Sequence, residues 1–596
     1  MVSRRSLIVA AAVGAFAFAM TSLVYQRGGA ILIDFERGYE GAFVGGFHPR
    51  ERAEGKYFRW TDDASYVELR HLPHKGTKGT IGVEARLRTI RPEGTPLPSL
   101  AFTANGVTVH RAAALPGVVT YHFQFPSSST RLKLGIESET FEAAGGRKLG
   151  VQVLGIRLKL PDEPPSFEES GLWMSLSAIL LLAACLAAGL SFPIAVLAAV
   201  VLTIPFVYLL RLDAVRFSAY PENAAVLAGS TLAAAVLLRA VLNRLGWLHP
   251  SERAVATALL ALLLLMKMSA LSYPLMLSSD ADFQANRMRE FLQGNWHPTS
   301  VTQHEPPFRI PYPVALFAVA APLAKASVDL VSALEITTGL FDVLVSGLLM
   351  FLGWRCLDDF RAGALAAVLY QLVPMNALSF SAGNFTNLFA VAMLACAFTF
   401  LFASAPWGTM VSTLLALTAH FGMFLEGIVL WPLWLVLLWM APKPVKDRRA
   451  PMTAAVLAAF LIAAVYYLGY LELFTSQYGR ALGGKSSGGM VSLLGEQIGF
   501  VFLATAALGS VSFLRQPLAV GWLGTTLFFL AVDLWTGLEI RYWLQALPLL
   551  ALFSGAYLSR AFSRSAFGKA AAIAALLFMS FIGMRTLFEC MVYRYH

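Results

Sequence analysis

Two hydrophobic rhythms divide this chain. Within residues 27–165 apolar and polar side chains alternate in short segments: Tyr57-Phe58-Arg59-Trp60, Tyr66-Val67-Glu68-Leu69-Arg70, Ile81-Gly82-Val83-Glu84-Ala85-Arg86-Leu87, Val107-Thr108-Val109, Thr120-Tyr121-His122-Phe123-Gln124-Phe125, Leu132-Lys133-Leu134-Gly135-Ile136 and Val151-Gln152-Val153-Leu154-Gly155-Ile156. Period-2 patterning between turns, with no helical stripe, predicts a jelly-roll-like antiparallel β-sandwich of about eight strands. Elsewhere the rhythm is one of long apolar runs. One fills the N-terminus to about Val24, and after Pro161-Asp162-Glu163-Pro164-Pro165 further runs lie near 171–191, 193–211, 224–243 and 253–276. Ten more follow near 331–353, 362–378, 386–404, 410–423, 425–441, 451–470, 493–513, 517–533, 541–559 and 568–588. Most are close to the length that crosses a bilayer, 410–423 and 425–441 being short, and about fifteen spanning helices are expected. The resulting divisions are 1–26, an N-terminal helix; 27–165, the sandwich; 166–250, additional spanning helices; and 251–596, a larger helical module.

Composition agrees that the bilayer is the main solvent. Apolar residues make up 57% of the chain and charged residues 14%, with mean hydropathy +0.62; a soluble chain carries about a quarter charged residues. Cys185, Cys356, Cys396 and Cys590 all lie in or beside apolar runs and form neither a disulfide framework nor a zinc pattern. The net charge of +10 sits largely in short loops such as Lys443, Lys446, Arg448 and Arg449, which the positive-inside bias explains better than nucleic acid does. Arg239, Arg244 and Arg253 set one side as cytoplasmic, and basic loops at Arg355/Arg361, Lys443–Arg449, Arg515 and Arg560/Arg564/Lys569 recur after every second helix. This parity puts the N-terminus inside and the β-domain outside. It holds only if residues 310–328, apolar and nominally long enough to cross, form a helix at the outer interface, as Pro311, Pro313 and Pro322 favour. Ser3-Arg4-Arg5 before the first run reads as an uncleaved anchor, with a cleaved twin-arginine-type signal as the alternative.

The longest polar stretch of the helical half runs from Ser278-Ser279-Asp280-Ala281-Asp282-Phe283-Gln284-Ala285-Asn286-Arg287 to His304-Glu305-Pro306-Pro307-Phe308-Arg309-Ile310-Pro311-Tyr312-Pro313. It begins where a helix is expected to exit outside and ends in the interfacial helix. This arrangement resembles the GT-C superfamily of polyprenyl-phosphate-sugar glycosyltransferases, which includes protein mannosyltransferases, lipid A aminoarabinose transferases and mycobacterial arabinosyltransferases. There an acidic pair follows the first core helix, a helix resembling Arg287-Met288-Arg289-Glu290-Phe291-Leu292-Gln293-Gly294 comes next, and a Pro-Pro segment with aromatics opens the juxtamembrane helix. The resemblance covers Glu252 to about Tyr470 well and the C-terminal third loosely. Two departures stand out: the nearest cation to the prolines is Arg309 where several members have Lys, and the β-domain with four helices precedes the core. The cluster Phe58-Arg59-Trp60-Thr61 resembles one in β-domains attached to other bacterial membrane glycosyltransferases.

The resemblance implies a sugar transfer from a polyprenyl-phosphate donor to a glycan, lipid or protein acceptor at the extracytoplasmic face of a bacterial cytoplasmic membrane. Such a reaction needs a carboxylate to take the proton of the acceptor hydroxyl as it attacks the anomeric carbon, and Asp280 or Asp282 fills that role. The second acid then holds geometry or a divalent cation, Mg or Mn; as ordinary residues the two would be a solvated loop acid and a helix N-cap. The phosphate leaving group needs cations, for which Arg309, Arg541 and Lys485 are candidates. Arg541-Tyr542 matches an Arg-Tyr pair common in the superfamily, and is equally an interfacial belt pair. Lys485 lies in Gly483-Gly484-Lys485-Ser486-Ser487-Gly488-Gly489, a P-loop only superficially because no strand precedes it, so ATP is not expected. Glu305, His420 and Asn384, with Asn387, are candidate substrate contacts near outer helix ends, His420 being equally a core histidine. Trp60 is either a sugar-stacking ring, making 27–165 a carbohydrate-binding domain, or a core residue. Within the apolar runs stand Lys267, Glu335, Asp342 and Glu426; Lys267 and Asp342 fall at similar depth and are expected to pair.

Two rivals come from other classes. A lipid or glycolipid transporter would carry ionisable residues along a continuous path. A non-catalytic subunit, within a larger envelope complex, would use the β-domain to bind glycan or a surface protein.

Overall fold

Alternation along residues 30–159 folds as twelve strands: β1 Ala30–Asp34, β2 Val44–Phe47, β3 Glu51–Ala53, β4 Lys56–Leu69, β5 Gly79–Thr89, β6 Ser99–Ala104, β7 Val107–Ala113, β8 Gly117–Ser127, β9 Leu132–Ser138, β10 Phe141–Ala143, β11 Arg147–Leu149 and β12 Gln152–Lys159. The computed structural model describes residues 4–25, 30–36, 40, 43–48, 50–53, 55–69, 79–127, 131–143, 146–159, 168–212, 220–269, 279–301, 309–440, 449–473, 497–513, 516–536 and 541–592. The main path of the sheet is β7-β6-β9-β4-β12-β5-β8, antiparallel throughout, with β1 on β12 and with β2 and β3 on β4. It folds over at β4. Residues Ala64–Leu69 pair with β9, whereas Arg59 and Trp60 pair with β12. At the fold-over Thr61 ties the two halves, donating its N–H to Val151 O at 2.8 Å and sharing a 3.0 Å hydrogen bond with Ser138. Ile81, Val83, Ala85 and Leu87 of β5 then meet Leu132, Leu134 and Ile136 of β9 in one buried core, as alternate residues of two packed layers must.

The cluster Phe58-Arg59-Trp60-Thr61 is a packing motif. Trp60 is 7% exposed in a second, smaller core with Phe58, Leu149 and Leu154, and lies edge-to-face on Phe58 and Phe141. An enclosed indole has no free face for a sugar, so the stacking role expected of Trp60 gives way to a core role. Arg59 meets the fully buried Glu40 at 2.7 Å, with Arg50 reaching the same oxygen at 3.1 Å.

The same compact unit, Met1–Trp247, contains α1 Arg4–Tyr25, α2 Glu168–Ala188, α3 Phe192–Leu212 and α4 Tyr220–Leu245. Helix α2 packs on the other three. Ser175 of α2 donates to Gly14 O of α1 at 2.9 Å, and the ring of Phe18 fills the space beside Gly171. Arg131, at the head of β9, reaches Glu169 at 3.6 Å and Glu222 at 4.0 Å, which joins the sandwich to the first turns of α2 and α4.

The second unit, Leu248–Leu271 with Met276–His596, contains α5 Pro250–Ser269, α6 Ser279–Leu292, the hairpin β13 Thr299–Val301 and β14 Arg309–Pro311, α7 Ala315–Lys325, α8 Leu330–Leu357, α9 Phe360–Leu372, α10 Pro374–Ser381, α11 Phe385–Phe402, α12 Pro406–Leu417, α13 Phe421–Met440, α14 Arg449–Leu468, α15 Phe500–Ser510, α16 Pro517–Thr536, α17 Arg541–Arg564 and α18 Ala566–Val592. Asp329 and Asp359 cap α8 and α9, accepting from Ser332 N at 3.0 Å and Ala362 N at 3.1 Å. The spanning stretch of α11 is 89% buried against 22% for that of α18, so α11 is a central helix and α18 a peripheral one.

Among the described residues nine helices are long and apolar enough to cross a membrane, or ten if α9 and α10, bent by 46°, count as one broken span. The expectation of about fifteen spans exceeds this where apolar runs are interrupted or short, and where runs such as 253–276 and 493–513 extend into residues outside the description. The run 362–378 breaks at Pro374, which ends α9 and opens α10. The run 410–423 ends at Leu417, giving a helix of only 12 residues. The run 310–328, expected at the outer interface and not among the fifteen, opens as a strand and closes as the 11-residue α7, about half the length needed to span.

The candidate site around helix α6

Helix α6 has its small and apolar residues on one side. Ala281, Gln284, Ala285 and Met288 are buried, at the i, i+3, i+4, i+7 spacing of one helical face. Asp280 and Asp282 occupy the first turn and Arg289 the last, each charge at the favourable end of the helix dipole. Gly294, at φ +99°, ends the helix, and Asn295 N closes onto Glu290 O at 3.0 Å. Both aspartates are exposed. Two residues apart on a helix, their side chains diverge, so one carboxylate at a time can approach a given atom.

Gln284 fastens the buried face. Its amide donates to the carbonyl of Gly383, in the turn Ala382-Gly383-Asn384 between α10 and α11, where Gly383 sits at φ +80°. That bond brings the acid helix to the turn holding Asn384, a candidate substrate contact, which is half-buried and makes no side-chain capping bond to α11. Phe283 packs edge-on against Tyr312 with centroids 5.3 Å apart, and Arg287 lies 5.1 Å over the Phe283 ring.

Tyrosines at the end of α14 hold the chain that follows α6. Tyr466 OH donates to Trp296 O at 3.1 Å and Tyr470 OH to Pro298 O at 3.1 Å, while His297 stacks on Tyr466 at 5.1 Å. Arg309 stands exposed on β14 opposite Val301, on a hairpin that also takes up Ile310 and Pro311, the opening of the interfacial helix expected at 310–328. His420 accepts from Gly422 N at 3.1 Å through Nδ1 and so caps α13. Around it Tyr467 OH donates to Leu417 O at 2.9 Å and Ala315 N to Thr418 O at 3.0 Å, which satisfies the carbonyls freed where α12 stops.

Glu305 and Lys485 lie outside the described residues. Arg541 and Tyr542 open α17, but their side chains are outside the description too. Among the described residues no three His, Cys, Asp or Glu side chains gather as a metal site. A cavity of about 220 Å³ lined by apolar side chains, among them Leu369, Val373, Phe500 and Phe578, touches none of the candidate residues.

Lys267 and Asp342 pair as expected. Lys267 Nζ lies 2.8 Å from Asp342 Oδ2, with the two side chains 4% and 0% exposed. Around them are groups the sequence reading did not single out: Tyr370 OH donates to Asp342 Oδ1 at 2.7 Å, Asn376 Nδ2 to the same oxygen at 3.1 Å, Gln371 Nε2 to Asp342 O at 3.0 Å, and Lys267 donates to Asn376 Oδ1. The available signal was a polar residue inside an apolar stripe, as Asn376 is in its run and Gln284 on its helix.

No protein-family model matches this sequence, and no curated protein matches it.

Proposed function

We propose that this protein is a glycosyltransferase of the bacterial cytoplasmic membrane that moves a sugar from a polyprenyl-phosphate donor to an acceptor hydroxyl on the extracytoplasmic side. The observation that carries the reading is α6: two exposed carboxylates on the first turn of a helix whose opposite face is pinned to the turn bearing Asn384. One aspartate takes the proton of the acceptor hydroxyl while that oxygen attacks the anomeric carbon. The bond to the phosphate oxygen breaks on the opposite face, its electron pair leaves with the lipid phosphate, and the anomeric configuration inverts. Arg309 and Arg541 offset the charge on the phosphate. The β-domain stands outside and receives or spaces the acceptor.

Removing the base leaves donor binding intact, because apolar walls and cations hold the lipid. Asp280→Asn and Asp282→Asn keep shape and remove charge, and one of them is expected to lose about 10²–10⁴-fold in turnover with little change in donor affinity. Arg309→Ala is expected to weaken donor binding instead. Full transfer by the double Asn variant, assayed with a polyprenyl-phosphate sugar that the wild type uses, would falsify the assignment. One observation favours the transporter reading, the buried pair Lys267–Asp342; movement of a labelled lipid-linked sugar across reconstituted vesicles without transfer would select it.

A further inference from the structure

The polar cluster around Asp342 lies inside the helical module, away from the exposed acids, yet its members sit on both sides of the α9–α10 bend. Tyr370 is the third-last residue of α9 and Asn376 the third of α10, and both donate to one oxygen, Asp342 Oδ1. A single carboxylate on α8 therefore bridges the two helices across their 46° bend. Lys267, in the last turn of α5, closes the cluster from the other side. It reaches Asp342 Oδ2 at 2.8 Å, donates to Asn376 Oδ1 and lies 4.5 Å over the ring of Phe380 on α10. Helices α5 and α8 come close enough for this because of Gly339, where a Cβ would stand 2.8 Å from the Met268 methyl and 3.6 Å from Lys267 Cγ.

Helix α10 carries that restraint onward. It is only eight residues long, and its end runs into the turn through Ala382 N to Leu378 O at 2.8 Å, Gly383 N to Phe380 O at 3.1 Å and Asn384 N to Ser379 O at 2.9 Å. The next group along is Gly383 O, the acceptor for Gln284 on α6. We propose that Lys267 and Asp342 are positioning residues: by fixing the α9–α10 bend they fix the Gly383 carbonyl on which α6 is seated, and so the place of Asp280 and Asp282. The role in turnover rests on the transferase reading; the seating of α6 does not.

Two measurements on the full-length protein in nanodiscs separate these claims. In Lys267→Met/Asp342→Leu the buried charges are gone together, so the fold is kept, but Tyr370 and Asn376 lose their common partner. Hydrogen exchange of residues 279–292 is expected to rise about tenfold while the melting temperature stays near wild type, the local opening and the global stability being separate quantities. With a donor that the wild type uses, turnover falls up to about 10²-fold, as for a misplaced catalytic group, at unchanged KM. Tyr370→Phe, which removes one hydroxyl and keeps the packing, is expected to shift both in the same direction by about threefold, and serves if the double variant does not fold. Wild-type exchange across 279–292 in a folded variant overturns the positioning role. Raised exchange in the variant, where the wild type itself transfers no sugar from a polyprenyl-phosphate donor, supports the seating of α6 and overturns the transferase reading alone.

Discussion

Glu84 shows how a single residue ties the β-domain to pH. Its carboxylate lies on β5 with Lys159 Nζ at 2.6 Å and Arg157 and His122 each at 3.8 Å. The hydrogen bond from Lys159, followed by the charges of Lys159, Arg157 and His122, holds Glu84 below the ordinary carboxylate value, against a smaller opposing effect of desolvation. A folded-state pKa below the unfolded one means that the folded form is favoured while Glu84 is ionised. That contribution is complete above the ordinary value of 4.5 and disappears as pH falls through the depressed folded value. Protection of β5 amides against hydrogen exchange should therefore decline between about pH 5 and pH 3 in the wild type. In Glu84→Gln the decline should be shallower, because the group that titrates is gone. An unchanged pH profile in the variant would remove Glu84 from the account.

Elements differ in how openly the sequence announces them. Strand β5 was legible because Ile81, Val83, Ala85 and Leu87 alternate with polar partners and are buried; β4 was not, since polar Thr61-Asp62-Asp63 split one 14-residue strand into two apparent ones. The acid pair was legible as chemistry. Its seat was not, because Gln284 and Gly383 are 99 residues apart and neither carries a local signal for the other. The break after Leu417 was hidden for a similar reason, as Tyr467 and Ala315 satisfy it from distant positions. Helix contacts, by contrast, rest on small residues that composition does reveal. A Cβ on Gly555 of α17 would collide with Ala362 O and stand 2.8 Å from Ala366 N of α9, whereas one on Gly524 of α16 meets nothing within 4 Å. Close backbone approach of this kind is how helices associate in a bilayer. Gly555→Ala should cost about 1–3 kcal/mol through overpacking, and Gly524→Ala should be neutral or slightly stabilising through helix propensity. Denaturant unfolding of the reconstituted protein checks both, and equal effects at the two positions would remove the contact from the account.

At the scale of the whole chain, everything functional turns on which side of the membrane each loop lies. The argument is one of parity. Lys443, Lys446, Arg448 and Arg449 follow α13, and Arg560, Arg564 and Lys569 cluster where α17 gives way to α18. Each translocated cation near a helix end is disfavoured, so both clusters are expected inside. That assignment keeps Asp280 outside only if the segment between α6 and α8 does not cross and the break-flanked α12 with its following turn does. Helix α7 has 11 residues, a rise of about 16 Å at 1.5 Å per residue, against a hydrocarbon core of about 30 Å; it also begins beside Thr418 O, in the break after α12, held there by Ala315 N. The expected result follows. With Cys185, Cys356, Cys396 and Cys590 replaced, cysteines introduced at Asp280 and Lys485 should react in intact cells with a membrane-impermeant maleimide, and a cysteine at Arg448 only after permeabilisation. Reaction at position 448 in intact cells would mean that 310–328 crosses after all or that α12 does not; the acids and the basic cluster after α13 would then share one side, and the parity argument would fall.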